Sequence, residues 1–216
     1  QINEVEEAGC DIVRVAVPAE ASAKAIKKIK SGTGIPVIAD IHFDWRLAVM
    51  SLESGADGLR INPGNIGGRD RIFEIVRAAR GRKVPIRVGV NSGSLEKDLL
   101  NKHGGATAGA LVESALRNIR ILEDLGHKWI KVSVKAVDPL RTVEAYRLLS
   151  RRTKYPLHLG VTEAGTFLAG TVRSSVAMGI LLAEGIGDTI RVSLTDTPAV
   201  EVRVGLELLR SLKLRD

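Results

Sequence analysis

Four times along the chain, a glycine placed to stop a helix is followed within a few residues by a short apolar run with a cation at its centre. These segments are Gly9-Cys-Asp-Ile-Val-Arg14, Gly55-Ala-Asp-Gly-Leu-Arg60, Gly126-His-Lys-Trp-Ile-Lys131 and Gly187-Asp-Thr-Ile-Arg191. Between them stand three runs opened by proline: Pro36-Val-Ile-Ala-Asp40, Pro85-Ile-Arg-Val-Gly-Val-Asn91 and Pro156-Leu-His-Leu-Gly-Val-Thr162. The two kinds alternate strictly. Glycine just past a helix takes the left-handed terminating conformation, and proline at the first residue of a strand removes no ladder hydrogen bond. The runs are short and nearly continuously apolar, as strands covered on both faces are. Helical patterns follow them, over residues 2–8, 19–30, 45–54, 70–80, 108–125, 143–150, 166–184 and 199–212.

Strands alternating with helices define the α/β class with a parallel sheet. Seven strands are visible and the chain opens inside a helix, so the expectation is a parallel (β/α)8 TIM-type barrel whose first strand is truncated. Residues 1–216 then form one domain. The competing architecture is an open doubly wound sheet. Its dinucleotide fingerprint is missing, because Gly185-Ile-Gly187 precedes a strand instead of following one.

Composition narrows the function. The chain has 216 residues and 44% hydrophobic content, with no long uninterrupted apolar run and no leader-like start, so cytoplasmic residence is expected and no membrane partner. A net charge of +7 invites an anionic partner, but aromatics at 3% leave few platforms for stacking bases, and no nucleic acid is expected. The one cysteine, Cys10, cannot form an internal disulfide and reads as a small buried apolar residue. His42 with Asp40 makes too few ligands for a metal, so no metal is expected within the chain. His103 and His127 read as loop or surface residues, and His158 as a core residue.

Side chains two apart on a strand share a face. Arg60 with Asn62, Arg87 with Asn91, Lys131 with Ser133 and Lys135, His158 with Thr162, Arg191 with Ser193, and Asp40 with His42 pair in this way. In a barrel the repeated cation would bring Arg14, Arg60, Lys131 and Arg191 to about one height. Several cations in a dry interior need acids, water or an anionic ligand, since an unpaired buried charge costs several kcal/mol. Asp11, Asp57 and Asp188 each precede an arginine by three residues, and private ion bridges on each strand are the bland explanation. Those aspartates lie on the opposite strand face, about 10 Å upstream. A small, doubly anionic phosphate ester is the expected ligand. The glycine-rich turn Asn62-Pro-Gly-Asn-Ile-Gly-Gly68 can offer backbone amides to a phosphate. Glu163, closing a strand after Thr162, can give or take a proton.

Several longer motifs carry a resemblance: Ile12-Val-Arg-Val-Ala-Val-Pro18, Ala39-Asp-Ile-His-Phe-Asp44, Leu59-Arg-Ile-Asn-Pro-Gly-Asn-Ile-Gly67, Pro156-Leu-His-Leu-Gly-Val-Thr-Glu-Ala-Gly165 and Gly185-Ile-Gly-Asp-Thr-Ile-Arg-Val-Ser193. In this order they resemble the 4-hydroxy-3-methylbut-2-enyl diphosphate synthases of isoprenoid biosynthesis. The resemblance implies an oxidoreductase that reductively opens 2-C-methyl-D-erythritol 2,4-cyclodiphosphate with loss of water. It implies that Arg14, Arg60, Arg87, Lys135 and Arg191 hold the diphosphate, with His42, Asn62, Asn91 and Ser193 adding hydrogen bonds. Asp40 and Thr162 belong to the same strand-end set, and Glu163 is the implied catalytic acid. Lys131 is the weaker candidate. It also implies a 4Fe-4S cluster in a further C-terminal domain whose ligands this chain lacks, ferredoxin or flavodoxin as electron donor, and a homodimer. The chain alone is then expected to bind substrate without turnover. Another phosphate-ester or pterin-type TIM-barrel enzyme is the alternative.

Overall fold

The computed structural model describes residues 1–216. In chain order the elements are α1 (Ile2–Glu7), β1 (Val13–Ala16), α2 (Glu20–Ser31), β2 (Val37–Asp40), α3 (Trp45–Glu53), β3 (Gly58–Ile61), α4 (Pro63–Ile66), α5 (Arg69–Arg80) and β4 (Ile86–Asn91). A 3-10 turn (Ser92–Ser94) leads to α6 (Lys97–His103), α7 (Ala108–Asp124), β5 (Ile130–Lys135), α8 (Pro139–Ser150), β6 (His158–Leu159), α9 (Phe167–Ala183), β7 (Thr189–Ile190) and α10 (Pro198–Ser211). All seven expected strands form, and the ladders β1–β2, β2–β3, β3–β4 and β6–β7 are parallel. Two short helices were not anticipated. Four-residue α4 has no room for a hydrophobic period, and α6 buries only Leu99. No helix is long and apolar enough to cross a membrane.

The chain divides into two compact units. The first comprises Gln1–Gly89 and Arg117–Lys131, the second Val90–Leu116 and Val132–Asp216. The five-stranded sheet has the order β1-β2-β3-β4-β5, with β1 to β3 wholly in the first unit, where α3 packs against both α2 and α5. The core of this unit comes from strand residues such as Val37, Ala39, Leu59, Ile61 and Ile86 and from the inner stripe Ile72, Ile75, Val76 and Ala79 of α5. In the second unit β6 pairs with β7, and α8 and α10 flank α9. Tyr146, fully buried, donates its hydroxyl to the carbonyl of His158, fastening α8 to the start of β6.

Two of the three aspartates that precede an arginine by three residues, Asp57 in the first unit and Asp188 in the second, share a structural task. Asp57 donates its backbone N–H to the Val37 carbonyl at 2.9 Å, and its carboxylate accepts the Val37 N–H at 2.7 Å. Asp188 does the same with Leu157, at 2.9 and 2.7 Å. Each aspartate therefore closes a two-bond ring on the residue that leads into the preceding strand, Val37 at the head of β2 and Leu157 just before β6. That residue follows a proline, and the proline's missing N–H is one reason the ladder starts here with a side-chain acceptor. Lys30 adds an ion pair to Asp57 at 2.8 Å.

Two expectations about single residues fail. His127 stands in the loop between α7 and β5, as expected, but is fully buried there and not on the surface, with Nε2 3.1 Å from the Trp129 carbonyl and its ring edge-on to Trp129. Burial lowers its pKa, opposed by the hydrogen bond to the Trp129 carbonyl and helped by the nearby Arg80 charge, so the neutral ring is favoured. Its neighbour Lys128 is exposed, and local polarity conceals which of two adjacent residues points inward. Cys10 is only partly buried, and its thiol donates to the Ile12 carbonyl at 3.1 Å.

Candidate functional site

In the first unit Ala16, Asp40, Arg60 and Arg87 are successive register partners across β1, β2, β3 and β4. Register partners on parallel strands project to the same face, and Arg14 lies two residues before Ala16 on that face. Asp40 sits in the middle, 5% exposed. Its Oδ2 is 2.8 Å from Arg14 Nη1, and its Oδ1 accepts from Arg60 Nη1 at 3.2 Å. His42, whose side chain is exposed, places Nε2 3.6 Å from the same carboxylate. Burial pushes the Asp40 pKa up, but Arg14, Arg60 and His42, together with the Arg60 hydrogen bond, outweigh it and hold the carboxyl below the usual aspartate range.

Arg60 is held at its other end too, since Nη2 donates to the Gly89 carbonyl at 3.0 Å. A Cβ on Gly89 would fall 2.3 Å from Arg60 Nε, so only glycine leaves the guanidinium its place. The private-bridge explanation does not hold for Arg60, because Asp57 is occupied at the head of β2. The counter-charge comes instead from a neighbouring strand. Asp40, one of the few acids near the strand ends, supplies one full negative charge to Arg14 and Arg60. Arg87 is buried in the same row. Asn62, also buried, spends its side-chain oxygen as the cap of α4, accepting the Gly64 N–H at 3.2 Å. The turn after it becomes α4 followed by Gly67 at φ 106°, and Gly68 opens α5.

In the second unit Lys135, buried at the end of β5, and Arg191, just past β7, converge on Gly160. A Cβ there would stand 2.8 Å from Lys135 Nζ and 2.6 Å from the Arg191 carbonyl. Thr162, with its N–H on the Ala136 carbonyl at 3.2 Å, leads to Glu163, which is exposed and adopts φ 50°. A left-handed glutamate costs about 1 kcal/mol or more and persists where the surroundings impose it. Asn91, the last residue of β4, and Ser193, in the segment after β7, are partly buried. His158 spends Nδ1 on Thr189 Oγ1 at 2.9 Å, across the β6–β7 pair.

Two residues here were not anticipated. Arg173 on α9 donates to the Ala164 carbonyl at 3.0 Å, fastening the turn that carries Glu163. Glu201, in the first turn of α10, reaches the segment carrying Arg191 and Ser193. Both lie on helices far from any strand-end motif, and helical periodicity assigns them only to a solvated face. No group of three or more His, Cys, Asp or Glu side chains is placed to hold a metal ion.

Parallel strands alternating with helices, with charged side chains gathered on neighbouring strands, are the arrangement of the TIM-barrel class. The family profile described as "GcpE TIM-barrel domain" matches residues 1–206, and the chain belongs to this family. A 4-hydroxy-3-methylbut-2-en-1-yl diphosphate synthase (flavodoxin) of Geobacter sulfurreducens is 62% identical over 215 residues, covering 100% of this chain and 61% of that protein. The protein of the same name from Caldanaerobacter subterraneus is 58% identical, covering 99% and 60%. The chain thus spans about 60% of the length of these relatives. Among solved structures, dihydropteroate synthases of Yersinia pestis (TM-score 0.69, 12% identity, covering 98% of this chain and 85% of that one) and Xanthomonas albilineans (0.67, 14%, 98% and 81%) share the fold alone.

Proposed function

We propose that this chain is the substrate-binding barrel of a 4-hydroxy-3-methylbut-2-enyl diphosphate synthase, and that its ligand is 2-C-methyl-D-erythritol 2,4-cyclodiphosphate. The observation that carries this reading is the in-register row Asp40–Arg60–Arg87 with Arg14 beside it, in which Arg60 is fixed at both ends of its guanidinium. Cations held in advance do not reorganise when charge develops. Such fixed donors contribute most to stabilising a departing phosphate oxygen. Arginine also suits a planar, two-oxygen grip on a phosphoryl group.

In this reading Arg14, Arg60 and Arg87, in the first unit, are phosphoryl-binding cations, and so are Lys135 and Arg191 in the second. His42, Asn62, Asn91, Thr162 and Ser193 supply hydrogen bonds, and Asp40 orients two of the arginines. Glu163 delivers a proton to the hydroxyl that leaves as water. Asn62 contributes through its amide N–H groups, since its oxygen is taken by the cap.

The residues of this chain do not fit a four-iron cluster. Cys10 is its single cysteine, and its thiol is turned to a backbone carbonyl. The electrons that open the ring come from outside the chain. For the whole protein we propose flavodoxin as their source, as the relatives' names state of those proteins. A homodimer belongs to the same reading, supported by Leu168, Val172 and Val176, exposed at four-residue spacing on α9.

Titration calorimetry with the cyclodiphosphate tests the proposal. Binding should weaken by about 1.5 to 3 kcal/mol on Arg60→Ala, as loss of a charge-assisted contact does. Equal affinity for the cyclodiphosphate and for an unrelated phosphorylated sugar would overturn it.

A further inference from the structure

The segment following β7 carries Arg191 and Ser193, and it is fastened at three points. Thr195 N–H donates to the Gly165 carbonyl at 2.9 Å, joining it to the turn that bears Glu163. Leu194 fills the space left by Gly170 on α9, where a Cβ would fall 2.5 Å from Leu194 Cδ2. The third point is Glu201. Its Oε1 accepts the Leu194 N–H at 2.8 Å, and its Oε2 stands 3.6 Å from Arg191 Nη2.

We propose that Glu201 is a positioning residue for Arg191, holding the backbone of the segment with one oxygen and the direction of the guanidinium with the other. This rests on the reading that Arg191 grips a phosphoryl group of the substrate. The two distances matter differently. At 2.8 Å the contact with Leu194 is a full hydrogen bond, whereas 3.6 Å is an ion pair without a close hydrogen bond. The guanidinium is thereby aimed, while its N–H groups remain available for a phosphoryl oxygen at hydrogen-bonding distance.

Arg191 is 38% exposed along its side chain and Glu201 15%. A long side chain at that exposure loses rotamer freedom when it binds, and ordering it beforehand removes part of that cost from the binding step. Burial of the carboxylate against Leu194 supplies the rigidity. An acid beside a phosphate site has two opposite possible effects. If Glu201 only competes for Arg191, removing its charge tightens anion binding. If it positions Arg191, removing its charge loosens it.

Titration calorimetry with inorganic pyrophosphate on the full chain separates the two, using Arg191→Ala, Glu201→Gln and the double variant. Glutamine keeps an oxygen for the Leu194 N–H and removes the ion pair. The expected result is a three- to tenfold weaker affinity for Glu201→Gln, about the worth of ordering one side chain, and no further loss when Arg191 is already alanine. Unchanged or tighter binding by Glu201→Gln overturns the inference while leaving Arg191 as a ligand. Undiminished binding by Arg191→Ala overturns the reading beneath it, and the inference with it. Should Glu201→Gln not fold, NMR relaxation of the Arg191 Nε–Hε group in the unaltered chain decides. An ordered guanidinium before any anion is added supports the inference, and a mobile one overturns it.

Discussion

Asp40 and Arg60 are register partners on neighbouring parallel strands, and the carboxylate of the first accepts from the guanidinium of the second at 3.2 Å while also pairing with Arg14. One buried acid thus fixes two cations. Removing it would leave two guanidinium groups close together without their shared counter-charge. Asp40→Ala should lower stability by about 3 kcal/mol, the cost of breaking a buried ion pair, measured by urea unfolding. Retained stability would mean that water or the ligand site already compensates for the acid.

The same residue sets a pH dependence. Its pKa in the folded chain lies below its unfolded value, so its contribution to stability is complete above the unfolded aspartate pKa. It is lost as pH falls through the depressed folded value. Melting temperature should therefore fall on acidification below the ordinary aspartate range, and less steeply in Asp40→Asn. Identical slopes for the two proteins would remove Asp40 from the acid response.

Gly89 and Gly160 each leave room for a cation, Arg60 in one unit and Lys135 in the other. Gly89→Ala should displace Arg60 and cost about 1 to 3 kcal/mol through overpacking. Pyrophosphate affinity should fall with it. Gly160→Ala meets a lysine tip that can move but also the Arg191 carbonyl, which cannot move without shifting β7. Calorimetry on both variants would show whether affinity follows the crowding.

The clamp formed by Asp57 on Val37 and by Asp188 on Leu157 should contribute to stability and not to binding. Asp188→Ala exposes the loss of one strand-opening hydrogen bond, about 1 kcal/mol, readable as a shift in denaturation midpoint. Anion affinity should remain as it was.

Glu163 is held at φ 50°, and Glu163→Gly should relieve about 1 kcal/mol of backbone strain. Differential scanning calorimetry should show a higher melting temperature. In the complete enzyme turnover should fall sharply in the same variant, since the proposed acid is gone. A variant that is both unstrained and fully active would take Glu163 out of the chemistry.

The strands were legible because two local signals coincide at each of them, a terminating glycine or an opening proline and a short apolar run. The parity of the candidate site was legible in the first unit for the same reason. A period of two along β2, β3 and β4, combined with parallel register, puts Asp40, Arg60 and Arg87 on one face whatever the strands' surroundings. What could not be read was which acid answers which cation. Asp57 precedes Arg60 by three residues, yet its carboxylate turns to the head of β2, where the Val37 N–H needs an acceptor.

The sequence by itself determined the strand–helix alternation, the presence of a cation on or just after most strands, and the family, because these depend on residues close together in the chain. Only the tertiary structure decided that Asp40 unites Arg14 and Arg60, that His127 is buried, and that Glu201 on α10 stands beside Arg191. Partners across strands or between a helix and a strand end are set by register and packing. No periodicity along the chain records the residue that packing brings opposite.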